Sequence, residues 1–156
     1  MRIRPAEERD IPRLLALLSQ ILELHAALRP DLFVSGSVKY TEAELRPMLS
    51  DPEAPVFVAV DENDGPVGYA FCRIREPSFA NTMKPLKTFF IDDLCVDESC
   101  RGQGIGEALY RFAAEEGKRR GCAFLTLDVW AGNEGARRFY EKMGMRPRET
   151  RMEFEL

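Results

Sequence analysis

Residues Phe89 to Glu107 read FFIDDLCVDESCRGQGIGE, and this stretch decides what kind of fold the chain can adopt. The run Thr88 to Val96 is apolar and β-rich, interrupted only by Asp92 and Asp93. It empties into Arg101-Gly102-Gln103-Gly104-Ile105-Gly106. From Gly104 to Arg120 the apolar residues Ile105, Ala108, Leu109, Phe112 and Ala113 then recur at helical spacing. A buried strand that turns through glycines directly into a helix makes an anion site. Glycine lets a ligand approach the backbone, and the unpaired N–H groups of a helix N-terminus point at negative charge. A pyrophosphate would satisfy several of those donors at once.

Upstream, a short strand at Arg2 to Arg4 precedes Ile11, Leu14, Leu15, Leu18, Ile21, Leu22 and Leu28, which fall on one helical stripe. Asp10 is placed to cap this helix, Pro12 fits its first turn, and Pro30 stops it. His25 lies on the stripe, where a lone histidine is more often packed than catalytic. Thr41-Glu42-Ala43-Glu44 reads as a capping box opening a short helix. Val56 to Val60 and Val67 to Ile74, joined by Glu62-Asn63-Asp64-Gly65, read as an antiparallel hairpin.

Downstream, Gly121 ends the glycine-loop helix and Cys122 to Trp130 is a further strand. Asn133 caps a short helix that shows Ala136, Phe139, Tyr140 and Met143 on one face and stops at Gly144. Arg151 to Leu156 alternates like a half-buried final strand. The expectation is one domain over residues 1–156, a mixed-sheet α/β or α+β fold with helices on both faces. No stretch approaches 18 consecutive apolar residues, so neither a membrane span nor an exported chain is expected.

Spacing separates three nucleotide loops. The dinucleotide fingerprint G-x-G-x-x-G fails because Glu107 stands where the third glycine belongs, and no Gly-Lys-Ser/Thr follows for a Walker loop. What remains, R-x-x-G-x-G after a strand, resembles the pyrophosphate loop of the GNAT family of acetyl-CoA-dependent N-acetyltransferases. A second element, Asn133 to Gly144, resembles that family's N-x-x-A-x-x-F-Y-x-K-x-G pattern. Both motifs stand in the family's order, and the resemblance extends in organisation over nearly the whole chain.

The resemblance implies a mixed, mostly antiparallel sheet of six or seven strands, splayed at the fourth and fifth and flanked by about four helices. It implies that Leu94, Cys95 and Val96 pair with the pantetheine arm of acetyl-CoA, with the Val96 N–H on the thioester carbonyl. Gly102, Gln103, Gly104, Ile105, Gly106 and Glu107 would hold the pyrophosphate, flanked by Arg101. Asn133 and Ala136 would contact the arm or leave it room, and Arg137, Arg138 or Lys142 could reach the adenosine phosphate.

Tyr140 matches the family's general acid, since a phenol of pKa about 10 keeps its proton at neutral pH. An alkyl ammonium of pKa about 10.4 must lose a proton before attack, and Asp92 and Asp93 are the candidates to bind or deprotonate it. A structural pairing with a nearby arginine is the competing use of either acid. No base stands beside Cys95 to make it a nucleophile, which favours direct attack on the thioester. Trp130 reads as a packing residue at a cleft rim.

The expected reaction is acetyl transfer to a primary amine of a small cationic acceptor. The alternatives are a protein N-terminus or lysine as acceptor, or a silent acyl-CoA-binding module. Loops 29–40 and 76–87 are the expected acceptor site.

Composition agrees. The 156 residues carry 22 basic and 26 acidic side chains, a net of -4 that disfavours a nucleic-acid partner. Residues 42–64 hold seven acids against Arg46 alone, whereas residues 137–151 hold six bases against Glu141 and Glu149. One histidine and four cysteines without a C-x-x-C pair leave no zinc set, and a chain of this size needs no disulfide. The expectations are no metal and a reducing cytoplasm; the pattern leaves the oligomeric state open, and the resemblance adds a homodimer, since many members of that family pair through strands near the C-terminus.

Overall fold

Strands that are apolar on both faces have to be covered on both. In the computed structural model, which describes residues 1–156, five strands form one sheet in sequence order. They are β1 (Arg2–Pro5), β2 (Val56–Val60), β3 (Pro66–Arg75), β4 (Thr88–Val96) and β5 (Phe124–Leu127). β1 to β4 pair antiparallel, and β4 pairs with β5 in parallel. The helices are α1 (Ile11–Leu28), α2 (Glu42–Met48), α3 (Ile105–Arg119) and α4 (Glu134–Lys142).

Alternation along β2 divides the core. Val56, Val58 and Val60 join Tyr69, Phe71 and Cys95 under Ile11, Leu14, Leu17 and Leu18 of α1 and Leu45 of α2. Phe57 and Ala59 join Ala70, Cys72, Phe89 and Ile91 under Ile105, Leu109 and Ala113 of α3. Each fully buried Leu contributes about 1.5–3 kcal/mol. The stretch Glu8–Leu28 does reach the length and apolarity of a membrane span, with a mean hydropathy of 1.3 over its best window. Here its apolar stripe covers the sheet.

Several local readings hold. Thr41 caps α2 in a full capping box with Glu44, Asn133 caps α4 by accepting from the Ala136 N–H, and Gly121 follows α3 with φ +76°. Asp10 differs: its side chain does not cap α1. It accepts from the Glu7 N–H and pairs with Arg4 at 2.7 Å, tying β1 to the helix entry.

The sheet has five strands rather than six or seven. β5 stops at Leu127 instead of running on to Trp130, and Arg151 to Leu156 belongs to no strand. The parallel ladder runs from Thr88 opposite Phe124 to Ile91 opposite Leu127 and ends there, while β4 continues to Val96 against β3 alone. Beyond Ile91 no ladder continues on the β5 side, which leaves one edge of β4 facing a gap in the sheet.

The antiparallel register with β3 shifts at the same place. Phe71 pairs with Asp93 and Cys72 with Ile91, which leaves Asp92 as the extra residue of a β-bulge. An inserted residue reverses the parity of a strand. Phe89 and Ile91 accordingly face α3, whereas Cys95 faces α1.

Candidate active site

The end of β4, the turn after it and the first turn of α3 form one continuous surface. The Asp97 N–H bonds to Val67 O at 2.9 Å, and a side chain at Gly68 would come within 2.9 Å of the Cys95 carbonyl oxygen. The Cys95 carbonyl and Asp97 amide therefore point at β3. By strand alternation the Leu94 and Val96 amides point the other way, into the gap. Gly68 is what lets β3 approach β4 so closely there.

Past Val96, Gly102 and Gly104 both adopt positive φ, +77° and +78°, and added Cβ atoms at these positions would meet nothing within 4 Å. The turn is thus strained for any other residue and open toward the outside. Gly104 is the N-cap of α3, so the N–H groups of Ile105, Gly106 and Glu107 lack helical partners. Gln103 lies between the two glycines. Arg101 folds back to donate to Val96 O at 3.2 Å, which holds the turn against the strand end. Gly106 faces Phe139 of α4, which an added Cβ would meet at 3.5 Å.

On the other side of β4 lies a cavity of about 210 Å3 walled by Leu18, Ile21, Leu22 and Phe33, with His25, Lys39 and Asp93 as its ionisable groups. Loop 29–40 supplies much of this lining and loop 76–87 none of it, so half of the expected acceptor site is placed here. Asp93 is 9% exposed and accepts from the buried Tyr69 hydroxyl at 3.1 Å and from Lys39 Nζ at 3.4 Å. Lys39 also reaches Asp92 at 3.4 Å.

Strict alternation would send the two acids to opposite faces. The bulge at Asp92 is why they meet on one lysine. Burial raises the Asp93 pKa above the usual carboxylate range, and Lys39, Tyr69 and His25 only partly offset this. Burial works against the Lys39 ammonium, but Asp93 and Asp92 outweigh it and raise that pKa. Burial lowers the His25 pKa, and Asp93 opposes the shift. His25 lies tilted against Phe33 with ring centroids 5.3 Å apart, and Phe33 meets Trp130 edge-on at 5.4 Å, so His25 and Trp130 both pack at the rim.

Tyr140 projects from α4 between Tyr110 and Phe139, with ring centroids 6.2 and 5.0 Å away. Burial and then the Asp93 charge raise its pKa, so it holds its proton. Burial pushes the Cys95 thiol up to about 12, far from a thiolate nucleophile. Arg137 is spent on Glu141 at 2.9 Å. Lys39 and Tyr69, the partners of Asp93, escaped the sequence reading, one as an anonymous loop lysine and the other as strand core.

The acetyltransferase (GNAT) family model matches residues 19–145. The chain belongs to the GNAT family. Its GNAT relatives include a peptidyl-lysine N-acetyltransferase of Salmonella typhimurium, 36% identical over 67% of this chain and 60% of that protein. A thialysine N-epsilon-acetyltransferase of Bos taurus is 28% identical over 91% of this chain and 82% of its own length. Among solved structures, a mutant protein of Bacillus halodurans superposes with a TM-score of 0.94 at 32% identity, covering 100% of this chain and 99% of its own. The chain spans only 40% and 60% of the first curated relatives it matches.

Proposed function

We propose that this GNAT protein moves an acetyl group from acetyl-CoA directly to the primary amine of a small acceptor held in the cavity at Asp93. The observation that carries the reading is the gap beside β4. It opens where the ladder to β5 ends, has the Leu94 and Val96 amides along it, and runs out into the open turn of Gly102 and Gly104.

These features fit acetyl-CoA. Leu94, Cys95 and Val96 would pair with its pantetheine arm, and residues 102–107 would hold its pyrophosphate through backbone N–H groups. Asn133 and Ala136 border that arm in the same assignment. Bound there, acetyl-CoA supplies an activated acetyl thioester. The Val96 N–H stabilises the oxygen on which negative charge develops.

Asp93 accepts the proton that the acceptor ammonium must lose. Its raised pKa makes it a stronger base than an ordinary carboxylate. Asp92, exposed beside it, attracts the cationic acceptor. Tyr140 donates a proton to the departing sulfur, a role that requires a phenol protonated at neutral pH.

The thialysine enzyme supports a small amino-bearing acceptor, and the peptidyl-lysine enzyme supports a lysine side chain as the alternative. The test is CoA release from acetyl-CoA across a panel of diamines, aminoglycosides, amino acids and lysine peptides. Turnover with small amines above that with peptides is expected. The reading is overturned if no amine releases CoA and acetyl-CoA does not raise the melting temperature.

A further inference from the structure

Asp93 is 9% exposed, yet only one of its carboxylate oxygens is engaged. The Tyr69 hydroxyl and Lys39 Nζ both donate to Oδ2, at 3.1 and 3.4 Å. Oδ1 accepts from neither. No fully buried side-chain oxygen in the protein lacks a hydrogen-bond partner, so Oδ1 is open to the cavity that Asp93 lines. One incoming ammonium can bind there without displacing Lys39 or Tyr69.

A second ammonium finds no such place. Asp92 is the other carboxylate at hand, and Lys39 Nζ holds it at 3.4 Å. Burial works against the Lys39 charge, but Asp93 and Asp92 outweigh it, so the lysine stays cationic. Burial also keeps His25 neutral at pH 7, and Ser37 carries no charge. The rest of the wall is Leu18, Ile21, Leu22, Phe33 and Val38. A second ammonium among these side chains would be unpaired and would face Lys39. The space is also small. An apolar cavity of about 150 Å3 holds a benzene ring, and this one, of about 210 Å3, has room for little more than a ring and a short chain.

We infer that Lys39 is a charge filter on the acceptor: the cavity takes a primary monoamine with a compact apolar body, an alkylamine or arylalkylamine, and rejects diamines and polyamines. The inference narrows the acceptor proposed above and rests on that reading of the site. Asp92 and an ionised Asp93 would by themselves suit a dication. Lys39 occupies Asp92 and one oxygen of Asp93, which leaves a single net negative charge for one ammonium to neutralise. Rejection comes from the repulsive element, since a second cation meets the lysine instead of a carboxylate. Lys39 sets specificity in this way without touching the reacting atoms.

Butylamine and 1,4-diaminobutane differ by one ammonium and test the filter directly. In CoA release by the parent chain, kcat/KM for butylamine should exceed that for diaminobutane by about ten- to a hundredfold. Lys39→Met keeps the length of the side chain and frees Asp92, so the ratio should fall to about one or reverse. Lys39→Arg keeps the charge and should keep the parent's preference. Binding of the two amines to the chain without acetyl-CoA, followed by chemical-shift titration, should give the same order and the same loss of preference in Lys39→Met. That arm separates the filter from the reaction: if no amine releases CoA but the binding order holds, the proposed acetyl transfer fails and the filter stands. A parent chain that binds and turns over diaminobutane as well as butylamine, or a Lys39→Met variant that keeps the parent's preference, would overturn the inference and leave the acetyl transfer untouched.

Discussion

Replacing Asp93 by asparagine separates a base from a structural ion pair, because the two roles predict opposite balances of activity and stability. Asparagine keeps the shape and can still accept the Tyr69 hydroxyl, which now lies 3.1 Å from the carboxylate. It removes the charge. In the folded protein burial holds the Asp93 pKa above the unfolded value of about 3.9. Between those two values the folded state binds more protons than the unfolded state. Stability therefore falls as pH rises through that window, and above it the ionised Asp93 is a net cost to the fold. The Asp93→Asn variant is free of that cost.

The loss on the other side is limited. Lys39 keeps Asp92 at 3.4 Å and is 38% exposed, so the variant leaves no buried, unpaired ammonium of the kind that costs about 3–5 kcal/mol. Stability at neutral pH should therefore stay within about 1 kcal/mol of the parent, which for a chain of this size is roughly 2–4 °C in Tm. Activity should not survive in the same way. A positioned base contributes about 10²- to 10⁴-fold, so kcat/KM should fall by that factor, or about 2.7–5.5 kcal/mol of transition-state stabilisation. In the parent, kcat/KM should fall as pH drops through the raised Asp93 pKa, above the usual carboxylate range, and the Asp93→Asn variant should lack this acid limb. Turnover within about threefold of the parent, with a large drop in Tm, would exclude the base and leave Asp93 a structural partner of Lys39.

Four further outcomes follow from the same geometry. Tyr140→Phe should lower kcat by at least about tenfold with little change in KM, measured by CoA release at saturating amine. Gly104→Ala should cost about 1–2 kcal/mol for its positive φ, and should shrink the rise in Tm that acetyl-CoA produces, although the new Cβ touches nothing. Gly68→Ala should destabilise by about 1–3 kcal/mol, several degrees in Tm, because its Cβ would press on the Cys95 carbonyl oxygen at 2.9 Å. In acid, Ser99 first and then Gln20 and Arg13 hold Asp97 at about 2, and Arg4 and Arg2 hold Asp64 at about 2. Both folded values lie below the unfolded value of about 3.9, so the stability these groups add is complete above it. Tm should fall as pH drops from about 4 to 2, and a flat profile there would contradict the pairing.

The elements with strong local signals were legible in the sequence. The stripe of α1, the capping box at Thr41, the hairpin around Asp64 and the glycine entry to α3 each depend on residues a few positions apart. The tail misled, since Arg151 to Leu156 carries the period of a strand and yet forms none, because period alone supplies no edge to pair with. Nothing local marks Lys39 or Tyr69 either. Their partner Asp93 lies 54 and 24 positions away in the chain. That Asp92 and Asp93 meet on one lysine was not legible, because alternation, a sound rule along a regular strand, fails at a bulge, and a bulge depends on the pairing partner rather than on the strand's own residues.

That bulge, the end of the parallel ladder and the site are one event. The last β5 pairing is Ile91 with Leu127, and the extra residue of the bulge is the next one, Asp92. A bulge bends its strand and increases local twist, which turns β4 away from β5. The same inserted residue shifts parity, so that Asp93 faces the α1 cavity and the amides of Leu94 and Val96 face the opened edge. A buried carboxylate on one side and free backbone donors on the other thus come from a single additional residue. Deleting Asp92 would test this coupling. It should restore regular alternation, leave residue 93 facing α1 because it then directly follows Ile91, and lengthen the ladder to β5. Amide exchange would report the last change as new protection beyond Ile91 on the β5 side, and unchanged exchange there would show that the divergence has another origin.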